Sequence, residues 1–243
     1  MIKKIYIRII SLLINFLDKR DKKRVVNFFK LKLDKKKIKI IDVGAHKGET
    51  IDLFIENFNV DKIYAFEPNT KIFDFLKKKI ERKNIKRIIL FNIGLGKKKE
   101  KKKLHVFDES SSSTFHVVNK NTNYYKRKKF FLSPFSKMLV SSEFLVDIYP
   151  LSEIFKKNKI SKIHILKIDT EGYEFNILKG LTKQLLKKIS FIYFEHHYDL
   201  MIKKNYNFYD INSFLLKNNF KLKFKLKMKF RKTFEYIYEN RNK

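Results

Sequence analysis

Short apolar runs alternate with amphipathic segments along the chain, and this alternation predicts its secondary structure. Apolar runs predict buried strands at residues 38–43, 62–66, 85–92, 163–168 and 190–195. Segments with apolar residues at helical spacing predict intervening helices at about 48–58, 70–82 and 174–188. Buried strands that alternate with helices indicate an α/β fold with a mainly parallel, doubly wound sheet and right-handed crossovers.

The C-terminal part has a different pattern. Residues 207–217 have helical spacing, and residues 221–230 then alternate between lysine and apolar side chains. Period-two alternation predicts a half-buried strand with one solvated face. We expect it to pair with residues 233–238 as an antiparallel C-terminal strand pair. The alternative is that these lysines bind a membrane or an anion.

The N-terminal residues 1–20 carry apolar side chains at helical spacing, with polar side chains opposite them. This predicts a helix that packs on the domain, although a basic amphipathic helix lying on a membrane has the same pattern. We expect residues 1–36 to form a helical extension and residues 37–243 to form one domain. An insertion at about 96–147 interrupts that domain, and a connection of this length is either functional or disordered.

Composition narrows the function only slightly. The formal net charge is +32, but the chain is rich in Lys, Ile, Asn and Phe and contains only two alanines, Ala45 and Ala65. The charge therefore reflects either A/T-rich codon usage or a surface for nucleic acid or membrane. The absence of cysteine excludes disulfides, a thiolate nucleophile and a cysteine zinc site, and it fits a reducing, cytoplasmic location.

The loop after the first predicted strand is the expected ligand site, because doubly wound sheets bind ligands at the carboxyl ends of their strands. This stretch reads IDVGAHKGET over residues 41–50. His46 stands where the second glycine of a dinucleotide fingerprint belongs, and no P-loop motif is present. The loop is therefore poorly suited to phosphates, and Asp42 argues against a bare anion.

The second predicted strand ends near Glu67, about one βαβ unit after the glycine loop. An acid at this place can accept hydrogen bonds from both hydroxyls of a ribose. An acid in the first loop, such as Asp42, can receive an ammonium group. A ligand with a ribose and an amino-acid moiety but no phosphate meets both conditions, and S-adenosylmethionine is such a ligand.

Several segments together resemble the FkbM family of S-adenosylmethionine-dependent methyltransferases, over about residues 38–200. They are IDVGAHKGET at 41–50, FEP at 66–68, NIGLG at 92–96, LKIDTEGYEFNILKG at 166–180 and IYFEHH at 192–197. The resemblance implies a class I methyltransferase (Rossmann-like) fold and O-methylation of a hydroxyl on a sugar, glycan or secondary metabolite. The alternative function is that of a basic nucleic-acid-binding protein or an RNA methyltransferase.

The resemblance also implies a set of cofactor-binding positions at the ends of the first three strands. The Ser/Thr cluster near Thr114 corresponds to a loop that often reaches toward the site in this family. The implied cofactor-binding residues are Asp42, Gly44, Ala45, Gly48, Thr50, Glu67, Pro68, Asn92 and Ile93.

Acidic side chains follow two later strands. Asp169 and Glu171 come after one strand, and Glu195 ends the next, with His197 on the same side and His196 on the other. An alcohol needs a base to become a methyl acceptor, and Asp169, Glu195 and His197 are the candidates, while Glu171 could orient the acceptor. Alternatively, the two acids serve the start of the next helix, or the cluster holds Mg²⁺ or Mn²⁺, which we favour less.

Overall fold

The computed structural model describes most of the chain, and it begins in a helix, α1, over residues 19–33. Val25, Phe29 and Leu33 of α1 are buried against the central sheet. The described residues are 19–107, 113–117, 119–123, 125–126, 140–198, 201–229 and 232–242. The predicted helix of residues 1–20 therefore lies almost entirely outside the described residues.

A seven-stranded sheet forms the centre of the molecule, in the order β10-β11-β9-β8-β1-β2-β3. Neighbouring strands from β9 to β3 are parallel, whereas β11 runs antiparallel to both β9 and β10. The predicted antiparallel C-terminal pair is thus confirmed. The strands are β1 (Ile38–Val43), β2 (Val60–Phe66), β3 (Ile88–Phe91), β8 (Ile163–Ile168), β9 (Ile189–His197), β10 (Phe220–Lys227) and β11 (Thr233–Asn240).

Helices cover both faces of this sheet, because apolar side chains alternate sides along each strand. Ile40 lies on the face that is covered by α1, α2 and α3, while Ile41 lies on the face that is covered by the other helices. The remaining helices are α2 (Glu49–Asn57), α3 (Thr70–Arg82), α4 (Leu151–Lys157), α5 (Glu174–Leu178), α6 (Lys183–Leu186) and α7 (Phe208–Lys217).

The structure departs from the predicted helix at 174–188, which is wrong as a single element. Two short helices, α5 and α6, take its place. Gly180 lies between them, and a Cβ there would come within 2.2 Å of the Gly96 carbonyl oxygen. The chain turns at this close contact and restarts at Thr182, whose side chain caps α6 by accepting from the Leu185 amide. The helix α4 was not predicted.

The insertion contains a second sheet, which lies beside the central one in the order β4-β7-β5-β6. Much of the lysine run 97–103 lies in one of its strands, β5. The basic, aromatic segment 124–131 falls almost entirely outside the described residues. The strands are β4 (Gly94–Gly96), β5 (Glu100–Phe107), β6 (Ser113–Thr114) and β7 (Val140–Pro150).

Candidate active site at the carboxyl edge of the sheet

The glycine loop between β1 and α2 packs directly against the end of β8. Gly44 has a φ of 81°, which is in the left-handed region, and a Cβ there would lie 1.9 Å from the Asp169 carbonyl oxygen. The Asp169 amide also donates to the Val43 carbonyl at 2.9 Å. Only glycine combines this conformation with so close an approach of two backbones. The loop and Asp169 are therefore held together as one unit.

The amides of the glycine loop are already used by the protein. Those of Gly44 and Ala45 both donate to the Phe66 carbonyl at 3.0 Å, and that of His46 donates to Glu67 Oε2 at 2.9 Å. Anion sites at helix N-termini depend on free amides that point at the ligand. The observed bonding agrees with the sequence-based argument that this loop is a poor cradle for phosphate.

Glu67 lies at the exit of β2 and is 5% exposed. Its second carboxylate oxygen, Oε1, accepts from the Asn69 amide at 2.9 Å. Burial raises the pKa of Glu67 above its ordinary value. Each of its oxygens accepts one amide, which leaves acceptor capacity for the hydroxyls of a ribose.

Asn92 clamps the loop that follows β2. Its Nδ2 donates to the Glu67 carbonyl at 2.9 Å and, more weakly, to the Pro68 carbonyl at 3.4 Å. Thr70 donates its hydroxyl to Asn92 Oδ1 at 3.1 Å. Ile93 packs against the core, so the side chains of Asn92 and Ile93 support the site from its edge. Thr50, by comparison, is half-buried in the first turn of α2.

Asp42 lies beneath the glycine loop, on β1, and its side chain is 0% exposed. Neither carboxylate oxygen has a hydrogen-bond partner among the described residues, although the ammonium of Lys167 lies 3.8 Å from Oδ1. Burial raises the pKa of Asp42 to about 6, in spite of the opposing Lys167 charge. A buried carboxylate with so little hydrogen bonding fits a cationic group nearby, such as the ammonium of a bound amino acid.

An acid that follows β8 and an acid near the end of β9 meet around one imidazole. His197 Nε2 lies 3.1 Å from Glu171 Oε2 and 3.3 Å from Glu195 Oε1. On the other side of the ring, Nδ1 is 3.1 Å from the Thr233 hydroxyl of β11. Burial and the neighbouring charge of Asp169 raise the pKa of Glu195 well above its usual range. We call Asp169, Glu171, Glu195 and His197 the acidic edge.

The insertion helps to shape the acidic edge. Thr114 of β6 is 1% exposed and donates its hydroxyl to the Glu171 carbonyl at 2.9 Å. Glu171 has a φ of 49°, which is rare for a residue with a side chain, so the backbone at this position needs external support. From the opposite side, Tyr206 donates its hydroxyl to the Gly172 carbonyl at 2.7 Å. The predicted approach of Thr114 to this region is therefore observed.

The structure also decides between the alternatives for individual residues. Asp169 does not cap α5, because the N-cap of that helix is Tyr173 and the Asp169 carboxylate accepts from Lys167 at 3.1 Å. His196 is 2% exposed and packs among aromatic rings on the other face of β9, as period-two alternation predicts. It is therefore not part of the acidic edge.

Two negative findings apply to the described part of the chain. No group of at least three His, Cys, Asp or Glu side chains there is arranged to hold a metal ion. No helix in those ranges combines the length and apolar character that are needed to cross a membrane.

A sequence model of the Methyltransferase FkbM domain matches residues 42–222, which include the glycine loop, Glu67 and the acidic edge. The chain belongs to the FkbM methyltransferase family. The family predicted from the sequence segments is thus confirmed.

Relatives of this FkbM chain agree with that result. It is 24% identical over 144 residues to Methyltransferase 1 of Beauveria bassiana (strain ARSEF 2860), a match that covers 58% of this chain and 57% of the relative. The chain therefore matches little more than half the length of that protein.

Solved structures show the same fold. The FkbM methyltransferase of Methylobacillus flagellatus KT superposes with a TM-score of 0.55 at 15% identity, covering 84% of this chain and 43% of that one. M. capricolum TrmK in complex with S-adenosyl-homocysteine gives 0.51 at 14% identity, covering 91% of this chain and 68% of the other. The predicted class I methyltransferase fold is confirmed.

Sequence reasoning missed two residues that the structure brings to this candidate site. Lys167 is a lysine in a strand whose other residues, apart from His164, are apolar, and that oddity could have identified it. Thr233 carries no such signal, because it reaches His197 only through the pairing of β11 with β9.

Proposed function

We propose that the protein is an S-adenosylmethionine-dependent O-methyltransferase that acts on a hydroxyl of a sugar, a glycan or a secondary metabolite. One observation carries the O-methyl part: the His197 imidazole contacts both Glu171 and Glu195 at the sheet edge that adjoins the glycine loop. A hydroxyl is a poor nucleophile, and a cluster of titratable groups beside the methyl donor can remove its proton. Within this proposal, residues 37–243 form the catalytic domain and residues 1–36 its helical extension.

The residues of the first two loops fit the cofactor. Asp42 supplies negative charge from beneath the loop for the ammonium group, and Glu67 accepts from the ribose hydroxyls. The loop residues Gly44, Ala45 and Gly48 allow close approach of backbone to ligand. S-adenosylmethionine bound here supplies a methyl group on a positively charged sulfur, which is the electrophile of the reaction.

The residues of the acidic edge have different roles toward the acceptor. Glu195 accepts the hydroxyl proton, because its raised pKa makes its carboxylate a stronger base than an ordinary one, and His197 lies beside it at 3.3 Å. Thr233 fixes the orientation of the His197 ring by its contact with Nδ1. Asp169, whose carboxylate is the most exposed of the four side chains at 34%, accepts a hydrogen bond from the acceptor together with Glu171.

The charge of the acidic edge favours one class of acceptor over another. Although the whole chain carries +32, three of the four side chains of the acidic edge are carboxylates, and of the nearby ammonium groups that of Lys167 is paired with Asp169 and that of Lys204 donates to the His197 carbonyl. A phosphate held there would be repelled, since like charges at short range are unfavourable in a partly buried site. This favours a neutral acceptor over the alternative of a nucleic acid, whose phosphates would have to lie on the lysine-rich surface away from the edge.

Calorimetric titration of the purified chain with S-adenosyl-homocysteine tests the cofactor assignment. We expect binding of S-adenosyl-homocysteine, no binding of NADH, and loss of binding in Asp42→Ala. Failure of well-folded wild-type protein to bind S-adenosyl-homocysteine would overturn the proposal.

A transfer assay tests the acceptor class. Radiolabelled S-adenosylmethionine is offered with sugars, glycans, hydroxylated metabolites and RNA, at low and moderate salt. We expect label on a hydroxyl of a neutral acceptor, transferred about 100-fold or more slowly by Glu195→Gln. Label on RNA that persists at moderate salt would favour the nucleic-acid alternative instead.

A further inference from the structure

A buried lysine stands between the cofactor loop and the acidic edge. Lys167 is the second-last residue of β8, directly opposite Asp42 of β1 in the parallel pairing, and it is 6% exposed. Its ammonium lies 3.1 Å from Asp169 Oδ2 and 3.8 Å from Asp42 Oδ1. A lysine is almost never fully buried unless it is paired, so its two contacts call for a functional explanation.

We propose that Lys167 is a positioning residue: its ammonium holds the carboxylates of Asp42 and Asp169, and so couples the cofactor loop to the acceptor side of the site. This inference rests on the proposed function. Asp42 serves the ammonium of the cofactor, whereas Asp169 faces the acceptor from the end of β8. The Lys167 ammonium lies beneath both carboxylates, and it keeps Asp42 ionised and Asp169 in place.

Other charged groups face these residues from each element that packs around them. Asp42 is influenced by Asp169 of the β8 exit and by Glu49 of α2, both of which disfavour its ionised form. Lys167 is the only cation that acts on Asp42 among the groups found to influence it. Without Lys167, burial and these two carboxylates would all act in one direction, toward a protonated Asp42.

Two further acids face Lys167 itself, Glu195 from β9 and Glu235 from β11. Burial alone would lower the pKa of Lys167, but the charges of Asp169 and Asp42 raise it above its ordinary value. Lys167 therefore keeps its charge throughout the pH range in which Asp42 titrates. A change in Asp42 can then be followed without interference from Lys167.

The test is the pH dependence of S-adenosyl-homocysteine binding to wild type, Lys167→Met and Lys167→Gln, with exposed Lys183→Met as control. In wild type we expect affinity to fall as the pH drops through about 6, where Asp42 takes up its proton. In both Lys167 variants we expect this midpoint to rise by about 1 to 3 pH units, because an opposite charge at this range has been removed. The control variant should keep the wild-type midpoint.

The outcomes separate this inference from the proposed function. If wild type binds no S-adenosyl-homocysteine at any pH, both are overturned. If wild type binds and the Lys167 variants lose affinity equally at every pH with an unchanged midpoint, only the role of Lys167 is overturned.

Should the single variants fail to fold, the double variant Lys167→Met with Asp42→Asn decides. Recovery of folding would support charge coupling between the two residues. A double variant that is equally unfolded would show a purely packing role and would overturn the inference.

Discussion

The glycine loop and the acidic edge adjoin each other at the carboxyl end of the sheet, but they are built differently. The loop is shaped by backbone contacts, which join the Gly44 and Ala45 amides to the Phe66 carbonyl and bring Gly44 against Asp169. The acidic edge consists of side chains that follow β8 or lie on β9, and side chains of β11 and the insertion form hydrogen bonds to it. A backbone-built site tolerates few residue types, whereas a side-chain-built site can change its ligand one residue at a time. The difference suits a constant cofactor and a variable acceptor.

The largest effect should come from Gly44→Ala, which disrupts the backbone packing of the glycine loop. The new Cβ would meet the Asp169 carbonyl, and the left-handed φ alone costs about 1–2 kcal/mol. We expect the free energy of unfolding to fall by more than about 2 kcal/mol and S-adenosyl-homocysteine affinity to fall about 100-fold or more. Chemical denaturation and calorimetry measure the two effects.

Gly48→Ala is the matched control for Gly44→Ala. Its φ is also positive, at 84°, but its Cβ would meet the movable ends of side chains and no backbone, with Leu76 nearest at 2.8 Å and Lys79 next at 3.4 Å. We expect a loss limited to about 1–2 kcal/mol, the conformational part alone. If the two variants behave alike, the close contact between Gly44 and Asp169 has no special role.

Glu195→Gln tests the acidic edge and should leave the glycine loop intact. The amide cannot accept a proton, so we expect kcat for methyl transfer to fall by about 10²- to 10⁴-fold. Binding of S-adenosyl-homocysteine should be unchanged. Glu153→Gln, at an exposed acid of α4, is the control and should alter neither quantity. Normal turnover in Glu195→Gln would move the role of base to Asp169 or His197.

Asp42→Asn should separate cofactor binding from stability. The pKa of Asp42 in the folded protein is raised to about 6 from 3.8, so its ionisation disfavours folding, and this loss of stability develops as the pH rises through about 6. Asparagine lacks that ionisation. Between about pH 4 and about pH 8 we expect the stability of the variant relative to wild type to improve by about 2 kcal/mol.

The same Asp42→Asn variant should bind S-adenosyl-homocysteine about 10- to 100-fold less tightly at neutral pH, since a charge attraction of about 1.4–2.8 kcal/mol is lost. Denaturation at several pH values and calorimetry measure the two properties. A variant that gains no stability relative to wild type as the pH rises would show that the pKa of Asp42 is not raised in the folded protein.

The same contrast explains what could be predicted from the sequence. The strands at 38–43 and 163–168 and the glycine loop follow from local patterns, and each appears with the predicted bounds. The contact of Thr233 with His197 depends on strand register across 36 residues, and no local pattern encodes it. The split of the 174–188 helix likewise arises from a contact between Gly180 and the distant Gly96. The glycine loop itself follows from local sequence, while its packing against Asp169 and the contacts of the acidic edge need the assembled fold.

The smallest effect should come from Thr114→Val, which removes the hydrogen bond from the insertion to Glu171 and leaves a carbonyl without its partner. We expect a loss of about 1 kcal/mol in unfolding free energy and a fall of about 3- to 10-fold in kcat/KM for the acceptor. S-adenosyl-homocysteine affinity should not change, because the cofactor loop is untouched. Thr114→Ser keeps the hydroxyl and should restore transfer. If valine and serine variants transfer methyl groups equally well, the insertion does not tune the acidic edge through Thr114, and this edge is less dependent on distant parts of the chain than its geometry indicates.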